Sequence, residues 1–477
     1  MRRLAVLSAL ALAGCEVGPD YARPEVAAPT AWRDTPAEAE SLANVPWWKI
    51  FGDPELQELI RIALEENKDL KIAAERVVEA RARLGFTAAD LYPRVDLRLE
   101  SGLAQRSRDG LPNLPPGIDN KSDFYAASLD VFWELDVFGR IRRATEAERA
   151  RLMSTEEGWK AVVLGLVSGV AEAYVELRDS DVRLEISRRT LASRAQSVDL
   201  ARIRFEGQVT SEKDWRQAQA EYRRIESIVH EFERLVRENE NRLSTLLGRN
   251  PGPLARGWST REWPELPQVP VGLPSDLVEN RPDLRAAEQN LVAANADIGQ
   301  AKALLYPRIA LTGSFGYEST DFDDLFKDTA KSWSIVGGLL QPIFNAGQNR
   351  SRVEIAESRM RQVLYAYEQS ILLAFLEVEN SLVGYRKAKD RRVSETARVE
   401  AERRVLYLSD LRYRGGVADY LEVLDAQRSL FSAELDEAAA IRDSLLELIR
   451  LYKSLGGGWP YEPEETAASE PAAAPGD

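Results

Sequence analysis

The chain contains two copies of one structural unit, and this internal repeat restricts the folds that it can adopt. A helical, alanine- and charge-rich stretch ends at Leu91-Tyr92-Pro93-Arg94 in the first half and at Leu305-Tyr306-Pro307-Arg308 in the second. Farther along, Arg204-Phe205-Glu206-Gly207 matches Arg412-Tyr413-Arg414-Gly415, 208 positions later. The residue pattern of each copy predicts a helix, two strands, a very long helix, a turn and a returning helix. Such a unit cannot bury its apolar faces alone, so the copies must pack on each other or on other subunits.

The first fifteen residues are typical of an export signal that ends in a lipidation site. A basic start is followed by an apolar stretch from Leu4 to Leu12 and then by Ala13-Gly14-Cys15, the only cysteine of the chain. This sequence resembles a bacterial lipobox, which implies a diacylglycerol on the Cys15 thiol and removal of residues 1–14. The residue after the cysteine is Glu16. An aspartate at this position would favour retention at the inner membrane, so Glu16 favours the outer membrane. An ordinary signal peptide with an incidental cysteine is the alternative.

Charge and hydropathy limit the possible partners. The formal net charge of −14 becomes −16 once Arg2 and Arg3 leave with the signal, which argues against nucleic acid and suits cationic cargo. Beyond the signal, no apolar run approaches the roughly 20 residues of a membrane-spanning helix. Any further contact with a membrane must therefore be made by strands.

Four segments alternate between apolar and polar residues, as strands with one apolar face do. The apolar positions are Val95, Leu97 and Leu99; Leu129, Val131, Trp133 and Leu135; Ile309, Leu311, Phe315 and Tyr317; and Trp333, Ile335 and Leu339. Each segment has the length of a tilted strand that crosses a bilayer, and the charged face suits a water-filled lumen. A small soluble sandwich with one wet face is the alternative. Four strands cannot close a barrel, so the membrane interpretation requires several subunits.

The longest helical pattern runs from about Ile141 to Phe205 and contains no proline. At about 1.5 Å per residue, a helix of this length is roughly 98 Å long. Apolar residues recur every seven positions from Val163 to Phe205, and the second copy repeats the pattern from Ile371 to Tyr413 with Arg392 as the exception. This spacing is typical of a coiled-coil seam. Each long helix is predicted to end in a glycine-containing turn and to return as a shorter antiparallel helix.

The sequence divides into six segments. They are the signal peptide 1–14, the lipid-anchored segment 15–52, the first repeat 53–249, a proline- and tryptophan-rich linker 250–274, the second repeat 275–457, and an acidic C-terminal tail 458–477. The tail is rich in Glu, Ala and Pro and is predicted to be disordered.

Short motifs follow one another in a specific order along the whole chain. After Cys15 they are Val17-Gly18-Pro19-Asp20-Tyr21, Arg23-Pro24, Trp47-Trp48-Lys49-Ile50-Phe51, Asp53-Pro54, the two Tyr-Pro-Arg sites, Leu135-Asp136-Val137-Phe138-Gly139-Arg140, and Tyr420-Leu421-Glu422-Val423-Leu424-Asp425-Ala426-Gln427. In this combination the chain resembles the NodT-type lipoprotein branch of the TolC-like outer-membrane efflux family.

The resemblance implies a mainly α fold with a β-barrel part. In a homotrimer, four strands per subunit would close a twelve-stranded outer-membrane barrel, continuous with a long periplasmic α-helical barrel. The chain would lie in the cell outer membrane, lipid-anchored, and extend into the periplasm. Its implied partners are a periplasmic adaptor (membrane fusion) protein and an inner-membrane transporter of the resistance-nodulation-division class. Its implied function is a passive exit channel for drugs or other small toxic compounds.

The resemblance also implies a gate at the periplasmic tip. The tip residues are Asp214, Arg412, Tyr413, Glu422 and Asp425. By resemblance, Asp214 and Tyr413 link neighbouring helix pairs in the closed state, and the carboxylates of Glu422 and Asp425 line a constriction that attracts cations. The alternative is that these are solvated charges on a helix surface. Gln208 stands where the family commonly has glycine, so the first turn is expected to differ in shape from the second.

Two other classes of function were weighed against the channel. An enzyme is disfavoured because His230 is the only histidine and Cys15 is committed to lipid, which leaves no Ser-His or Cys-His pair and no His-rich metal cluster, so no catalytic residue, metal or cofactor is expected. A periplasmic lipoprotein scaffold would need coiled coils but not four strands with an apolar face. Within the channel class, the exit duct of a protein-secretion apparatus remains an alternative.

Overall fold

The structure is a computed structural model that describes residues 16–25, 29, 32–33, 51–105, 107, 120–262 and 274–457. Cys15, the signal peptide and the C-terminal tail lie outside these residues. The chain divides into two compact units. The strand unit comprises Met1–Glu25, Arg76–Glu156 and Ala286–Glu368, and the helical unit comprises Val26–Glu75, Glu157–Arg285 and Gln369–Asp477.

The described elements follow the predicted order twice. In the first copy they are α1 (Pro54–Glu66), α2 (Lys68–Ala89), β1 (Arg94–Gln105), β2 (Lys121–Leu135), α3 (Arg140–Glu206) and α4 (Glu212–Leu246). In the second they are α5 (Pro274–Asn280), α6 (Pro282–Ala303), β3 (Arg308–Ser319), β4 (Lys331–Leu340), α7 (Gln348–Arg414) and α8 (Tyr420–Ser454), with two short 3₁₀ turns at Phe322–Asp324 and Asp328–Ala330.

Four pairs of equivalent elements have equal lengths in the two copies. Helices α3 and α7 both have 67 residues, and α4 and α8 both have 35, with every boundary displaced by 208 positions. Helices α2 and α6 both have 22 residues and strands β1 and β3 both have 12, displaced by 214 positions. The predicted duplication is therefore confirmed. None of the described helices is both long and apolar enough to span a membrane.

The start and the break of the first helical stretch follow from side-chain caps. Asp53 caps α1 by accepting the backbone N–H groups of Glu55 and Leu56, and Pro54 occupies the first helical position. Asn67 leaves the helical conformation, accepts the N–H of Leu70, and donates its own side-chain amide to a carbonyl of α4 at 2.8 Å. The predicted break near Asn67 is thus confirmed, and it starts α2.

The four strands form one antiparallel sheet in the order β1-β2-β3-β4. Its register places the predicted apolar residues on one face, as in the row Leu97, Leu129 and Phe315. On the other face Asp130 accepts hydrogen bonds from Ser314 at 2.7 Å and pairs with Arg98 at 3.1 Å. Many apolar-face side chains are exposed in the single chain, and the predicted division into an apolar and a polar face is confirmed.

The seven-residue repeat of α3 forms a buried seam in the helical unit. Val163, Val170 and Leu177 are almost fully buried, and Ile371 and Val378 of α7 are buried in the same way. Residues nearer the turns are only partly covered. Each long helix therefore has one buried apolar stripe, and the stripe predicted from the seven-residue spacing is confirmed.

Candidate functional site

The candidate site lies in the helical unit, where α3 turns into α4 and α7 turns into α8. In the first turn Val209 N–H donates to the Arg204 carbonyl oxygen at 2.8 Å, and in the second Val417 N–H donates to the Arg412 carbonyl oxygen at 2.9 Å. Gln208 has φ +56°. Gly416 of the second turn has φ +73°.

The expectation that Gln208 gives the first turn a different shape is therefore wrong. The hydrogen-bond pattern that ends each helix requires a left-handed residue after the last helical turn, and the position is fixed by that pattern. Glycine meets the requirement without strain, whereas glutamine adopts the same φ at a cost. The turn keeps its shape at the cost of backbone strain at Gln208.

Exchanging the residues at the two turns should change stability in opposite directions. Gln208→Gly is expected to stabilise the protein by roughly 0.5–1 kcal/mol, and Gly416→Gln to destabilise it by roughly 1 kcal/mol, because only glycine adopts φ > 0 freely. Chemical unfolding of the detergent-extracted protein measures both changes. Shifts of the same sign in both variants would contradict the shared turn geometry.

Aromatic and cationic side chains join the ends of the two helical hairpins. The Arg204 guanidinium of α3 lies over the ring of Tyr413 on α7, 4.6 Å from its centroid. The Tyr413 ring is 5.7 Å from that of Tyr420, and Phe205 stacks on Trp215 at 5.6 Å. A small core lies beside them, formed by Ala201, Ala218, Tyr420 and Leu424. The two hairpin ends of one chain are therefore packed together.

The predicted tip residues fall into one pair and three separate side chains. Arg412 donates to Glu422 at 2.9 Å, an exposed ion pair across the second turn. Asp425 is exposed one helical turn after Glu422 and has no ion pair among the described residues. Asp214 lies in the first turn of α4, and within the described part of one chain no hydrogen bond joins it to Tyr413.

A second contact between the hairpins is ionic. Glu221 of α4 is buried and accepts hydrogen bonds from Arg224 at 2.5 Å and from Arg428 of α8 at 3.0 Å. Buried Arg194 of α3 donates to the backbone carbonyl of Gln427 at 3.2 Å. Since Glu221 and Arg428 belong to different hairpins, this cluster holds the hairpins of one chain together.

The Glu221 cluster predicts a pH-dependent stability. Burial alone would raise the pKa of Glu221, but hydrogen bonds and charge from Arg224 and Arg428 lower that pKa below its ordinary value of 4.5. The unfolded chain then binds the proton more readily, so the cluster stabilises the fold above pH 4.5 and this contribution is lost as the pH falls through the folded-state pKa.

Glu221→Gln should destabilise the protein by roughly 1–3 kcal/mol at neutral pH, because it removes the charge-assisted hydrogen bonds from Arg224 and Arg428. The difference from the parent should shrink below the ordinary pKa of Glu221. Unfolding midpoints at neutral and acidic pH measure it, and Glu231→Gln, at an exposed pair with Arg234, is the control that should change stability by less than about 0.5 kcal/mol. A loss that is equal at both pH values would count against the ionic explanation.

Two partners of Tyr413 were missed from the sequence, as was the cluster of Glu221, Arg428 and Arg194. The guanidinium of Arg204 and the ring of Tyr420 both contact Tyr413. The repeat itself carried a signal for Arg204, because it occupies the position of Arg412 in the first copy. Nothing in the sequence indicated that Arg204 would contact the opposite hairpin. Among the described residues, no cluster of His, Cys, Asp or Glu is arranged to hold a metal ion.

Comparison with known proteins matches both repeats to one family. The model of the outer membrane efflux protein family matches residues 59–249 and 273–457. The solvent efflux pump outer membrane protein SrpC of Pseudomonas putida is 36% identical over 468 residues, covering 96% of this chain and 98% of that protein. The cation efflux system protein CusC of Escherichia coli O157:H7 is 34% identical over 465 residues, covering 94% and 97%.

A solved channel structure has the same fold. The open-state MtrE outer membrane channel of Neisseria gonorrhoeae superposes with a TM-score of 0.85 at 31% identity, covering 93% of this chain and 98% of that one. This chain belongs to the outer membrane efflux protein family.

Proposed function

We propose that this protein is the outer-membrane exit channel of a tripartite efflux pump. Three subunits form a twelve-stranded barrel and a periplasmic helical tunnel, which receives cargo from a periplasmic adaptor and an inner-membrane transporter of the resistance-nodulation-division class. Drugs or other small toxic compounds pass through it passively, without catalysis by this chain. The relatives named above export solvents or cations, and the transporter and adaptor select the cargo.

One observation supports this proposal: the described strands form a four-stranded sheet with an exposed apolar face, and within the described part of the chain no further strand pairs with the outer edges of β1 and β4. Ile335 and Leu339 of β4 are 72% and 66% exposed. Leu97 and Leu99 of β1 are exposed on the same face. Exposing such an apolar surface to water is unfavourable, whereas contact with lipid is favourable. Open strand edges are not tolerated in lipid, however, because their backbone N–H and C=O groups have no hydrogen-bond partners there. Closure by further copies of the sheet meets both requirements.

Two arginine substitutions at adjacent positions of β4 test the proposal. Ile335→Arg places a charge on the apolar face and should cost roughly 2–4 kcal/mol in the bilayer, so that little protein inserts. Ser334→Arg places the same charge on the polar face and should insert normally while altering conductance. Heat-modifiable gel mobility, outer-membrane fractionation and planar-bilayer recordings of the purified full-length protein measure these effects.

The two alternatives give different results. A periplasmic scaffold would tolerate both substitutions and conduct no ions in bilayers. A parent protein without discrete channel openings, or equal behaviour of Ile335→Arg and Ser334→Arg, would contradict the channel. A secretion duct would conduct ions, but its deletion would leave resistance to small toxic compounds unchanged.

The proposal includes a lipid anchor at Cys15. The apolar stretch that ends at Leu12 and the Ala13-Gly14-Cys15 sequence support it. Cys15→Ser should abolish labelling with a radioactive fatty acid and leave an uncleaved precursor that reaches the outer membrane poorly. Label that persists in the Cys15→Ser protein would contradict lipidation at this residue.

The hairpin tips are proposed to be the gate. The close packing of Arg204 with Tyr413 and the Arg412–Glu422 ion pair support a closed arrangement of charged and aromatic groups. We propose that Asp214 and Tyr413 link neighbouring helix pairs across the trimer. Asp425 would add an acidic ring to the constriction that these helices form.

A further inference from the structure

A cleft in the helical unit is lined by arginines from one hairpin and by polar groups from the other. It has a volume of about 250 Å³ and is formed by α3, α7 and α8. Arg189 and Arg194 of α3, Leu406 of α7, and Gln427 and Glu434 of α8 are among its lining residues. Within the described part of the chain, Glu434 is the one carboxylate that lines the cleft, so cations outnumber anions on its walls.

Arg194 is a buried cation with few partners. The residue is 3% exposed, and its guanidinium group carries five N–H donors. Among the described residues it donates one hydrogen bond, to the backbone carbonyl oxygen of Gln427 at 3.2 Å, and its buried Nε has no acceptor. Burial of a charge and of an unsatisfied donor is strongly unfavourable. A negatively charged acceptor beside Arg194 would relieve both costs.

Glu434 does not supply the missing charge. Its Oε2 accepts a hydrogen bond from Arg189 at 2.8 Å, and its Oε1 accepts one from Arg403 of α7 at 3.3 Å. Both oxygens are therefore paired, and two cations already share the one negative charge. Arg194 is a third guanidinium group beside this carboxylate.

Glu221, the other buried carboxylate whose charge acts on Arg194, is committed in the same way. Its Oε1 accepts a hydrogen bond from Arg224 at 2.5 Å, and its Oε2 accepts one from Arg428 at 3.0 Å. The five arginines and two carboxylates of this cluster leave an excess of three positive charges. The cluster is therefore locally basic, although the whole chain is acidic.

The pKa of Arg194 reflects this excess of positive charge. Burial lowers the pKa of its guanidinium, Glu221 and Tyr420 counteract burial, and two neighbouring arginines lower the pKa further, so that it stays below its ordinary value. Buried Arg281 is the opposite case, because hydrogen bonds and charge from two carboxylates outweigh burial and raise its pKa. Among the described residues, Arg194 lacks such a counter-charge.

We propose that this cleft binds a small inorganic anion of the chloride class, held by the Arg194 guanidinium between α3 and α8. The anion accepts the Nε–H of Arg194 and supplies the negative charge that Glu221 and Glu434 do not. A water molecule supplies only the acceptor. The cleft admits a small anion together with water, since one water molecule occupies about 30 Å³ in the liquid. The site does not depend on the channel function, because all of its groups belong to one chain.

Neutral donors complete the anion site. The hydroxyl groups of Thr190 and Ser193 line the same cleft. The side-chain oxygen of Gln427 is buried without a donor, and rotation of this amide by half a turn presents its NH₂ group to the anion instead. Because Arg194 and Gln427 belong to different hairpins, the bound anion joins the hairpins of one chain and should slow their local opening.

Hydrogen exchange of the purified full-length protein in detergent tests the site. Sodium chloride and sodium gluconate are compared at equal ionic strength, so that screening is the same and only the compact anion has ready access to the cleft. With a dissociation constant of about 0.1 M, about 0.3 M chloride should slow amide exchange in residues 186–198 and 423–434 by about fourfold relative to gluconate. Exchange in α2 should be the same in both salts.

Two arginine variants show whether the effect belongs to this cleft. Arg194→Gln removes the charge and should abolish the difference between the two salts. Arg234→Gln is the matched control, because Arg234 is an exposed arginine of α4 that pairs with Glu231 and Glu238, and it should keep the fourfold difference. If Arg194 acts only through its hydrogen bond to α8, the parent will exchange equally in both salts, which overturns the proposal. A salt difference that persists in Arg194→Gln overturns it as well.

Diffraction from crystals of the parent protein grown in sodium bromide locates the anion directly, whether or not Arg194→Gln folds. An anomalous peak in contact with the Arg194 Nε is expected. Its absence, or a carboxylate of an adjacent subunit in that place, would overturn the proposal. A bromide peak without the difference in exchange would mean an adventitious ion only, and it would overturn the proposal too.

Discussion

Asp53→Ala is expected to destabilise the protein by roughly 3–5 kcal/mol, because it removes an N-cap and leaves further buried donors without an acceptor. The Asp53 carboxylate is fully buried. It accepts hydrogen bonds from the Tyr174 hydroxyl at 2.9 Å and from the Trp258 N–H at 3.0 Å, in addition to the two N–H groups at the start of α1. One carboxylate thus joins α1, α3 and the segment that links the two repeats.

Tyr174 remains a donor in this arrangement. Burial and the neighbouring Asp53 carboxylate raise the pKa of the Tyr174 hydroxyl well above its ordinary value. Tyr174→Phe removes this donor and the acceptor for the Gly257 N–H, and should cost roughly 1–2 kcal/mol. Chemical unfolding followed by helical circular dichroism compares both variants with the parent. If Asp53→Ala costs no more than Tyr174→Phe, the carboxylate does not have the central role assigned to it.

Local sequence rules were sufficient to predict the part of this cluster that caps the start of α1. Asp53 followed by Pro54 indicated the cap and the start of α1, since both residues act within one helical turn. The other two donors are 121 and 205 residues away in the chain. No periodicity relates such positions, so the link between the Asp53 cap and Trp258 is a property of tertiary packing.

The strands and long helices were predictable for a different reason. Alternation along each strand and a seven-residue repeat from Val163 to Phe205 are long signals, and Pro93 and Pro307 mark where helices must stop. The shape of the turn at Gln208 was mispredicted, because a glutamine in place of glycine was taken to indicate a different backbone conformation. Its φ of +56° follows from the hydrogen bonds that close α3, which the sequence of the turn does not display.

The pairing of the residues proposed for the tip was not predictable from the sequence. Arg412 and Glu422 were both assigned to the tip, but their ion pair depends on how α7 and α8 meet across the second turn. From the sequence alone, Glu422 and Asp425 are two equivalent carboxylates on one helix. The structure distinguishes them, because the Arg412 guanidinium donates to Glu422 at 2.9 Å and neutralises its charge, which changes the electrostatics expected of the proposed constriction.

Asp425→Ala is therefore expected to lower the cation-to-anion permeability ratio of the channel more than removal of the Arg412–Glu422 pair does. Three subunits place three Asp425 carboxylates around the tip, and loss of this ring should lower the ratio by roughly threefold to tenfold. The double variant Arg412→Ala with Glu422→Ala removes a neutral pair and should leave the ratio within about twofold of the parent. Reversal potentials in a salt gradient, recorded in planar bilayers, measure both.

Arg412→Ala alone should change the cation-to-anion permeability ratio in the opposite direction. It removes three positive charges from the trimer and leaves Glu422 uncompensated, so the channel should become more cation-selective than the parent, and high salt should weaken the difference because both groups are exposed. Trimer formation, checked by light scattering, should be unaffected in all of these variants. If the neutral pair's removal lowers cation selectivity as much as Asp425→Ala does, Arg412 does not neutralise Glu422 in the assembled channel. If none of the variants changes the reversal potential, these charges lie on the outer surface of the tip and the constriction is formed by other residues.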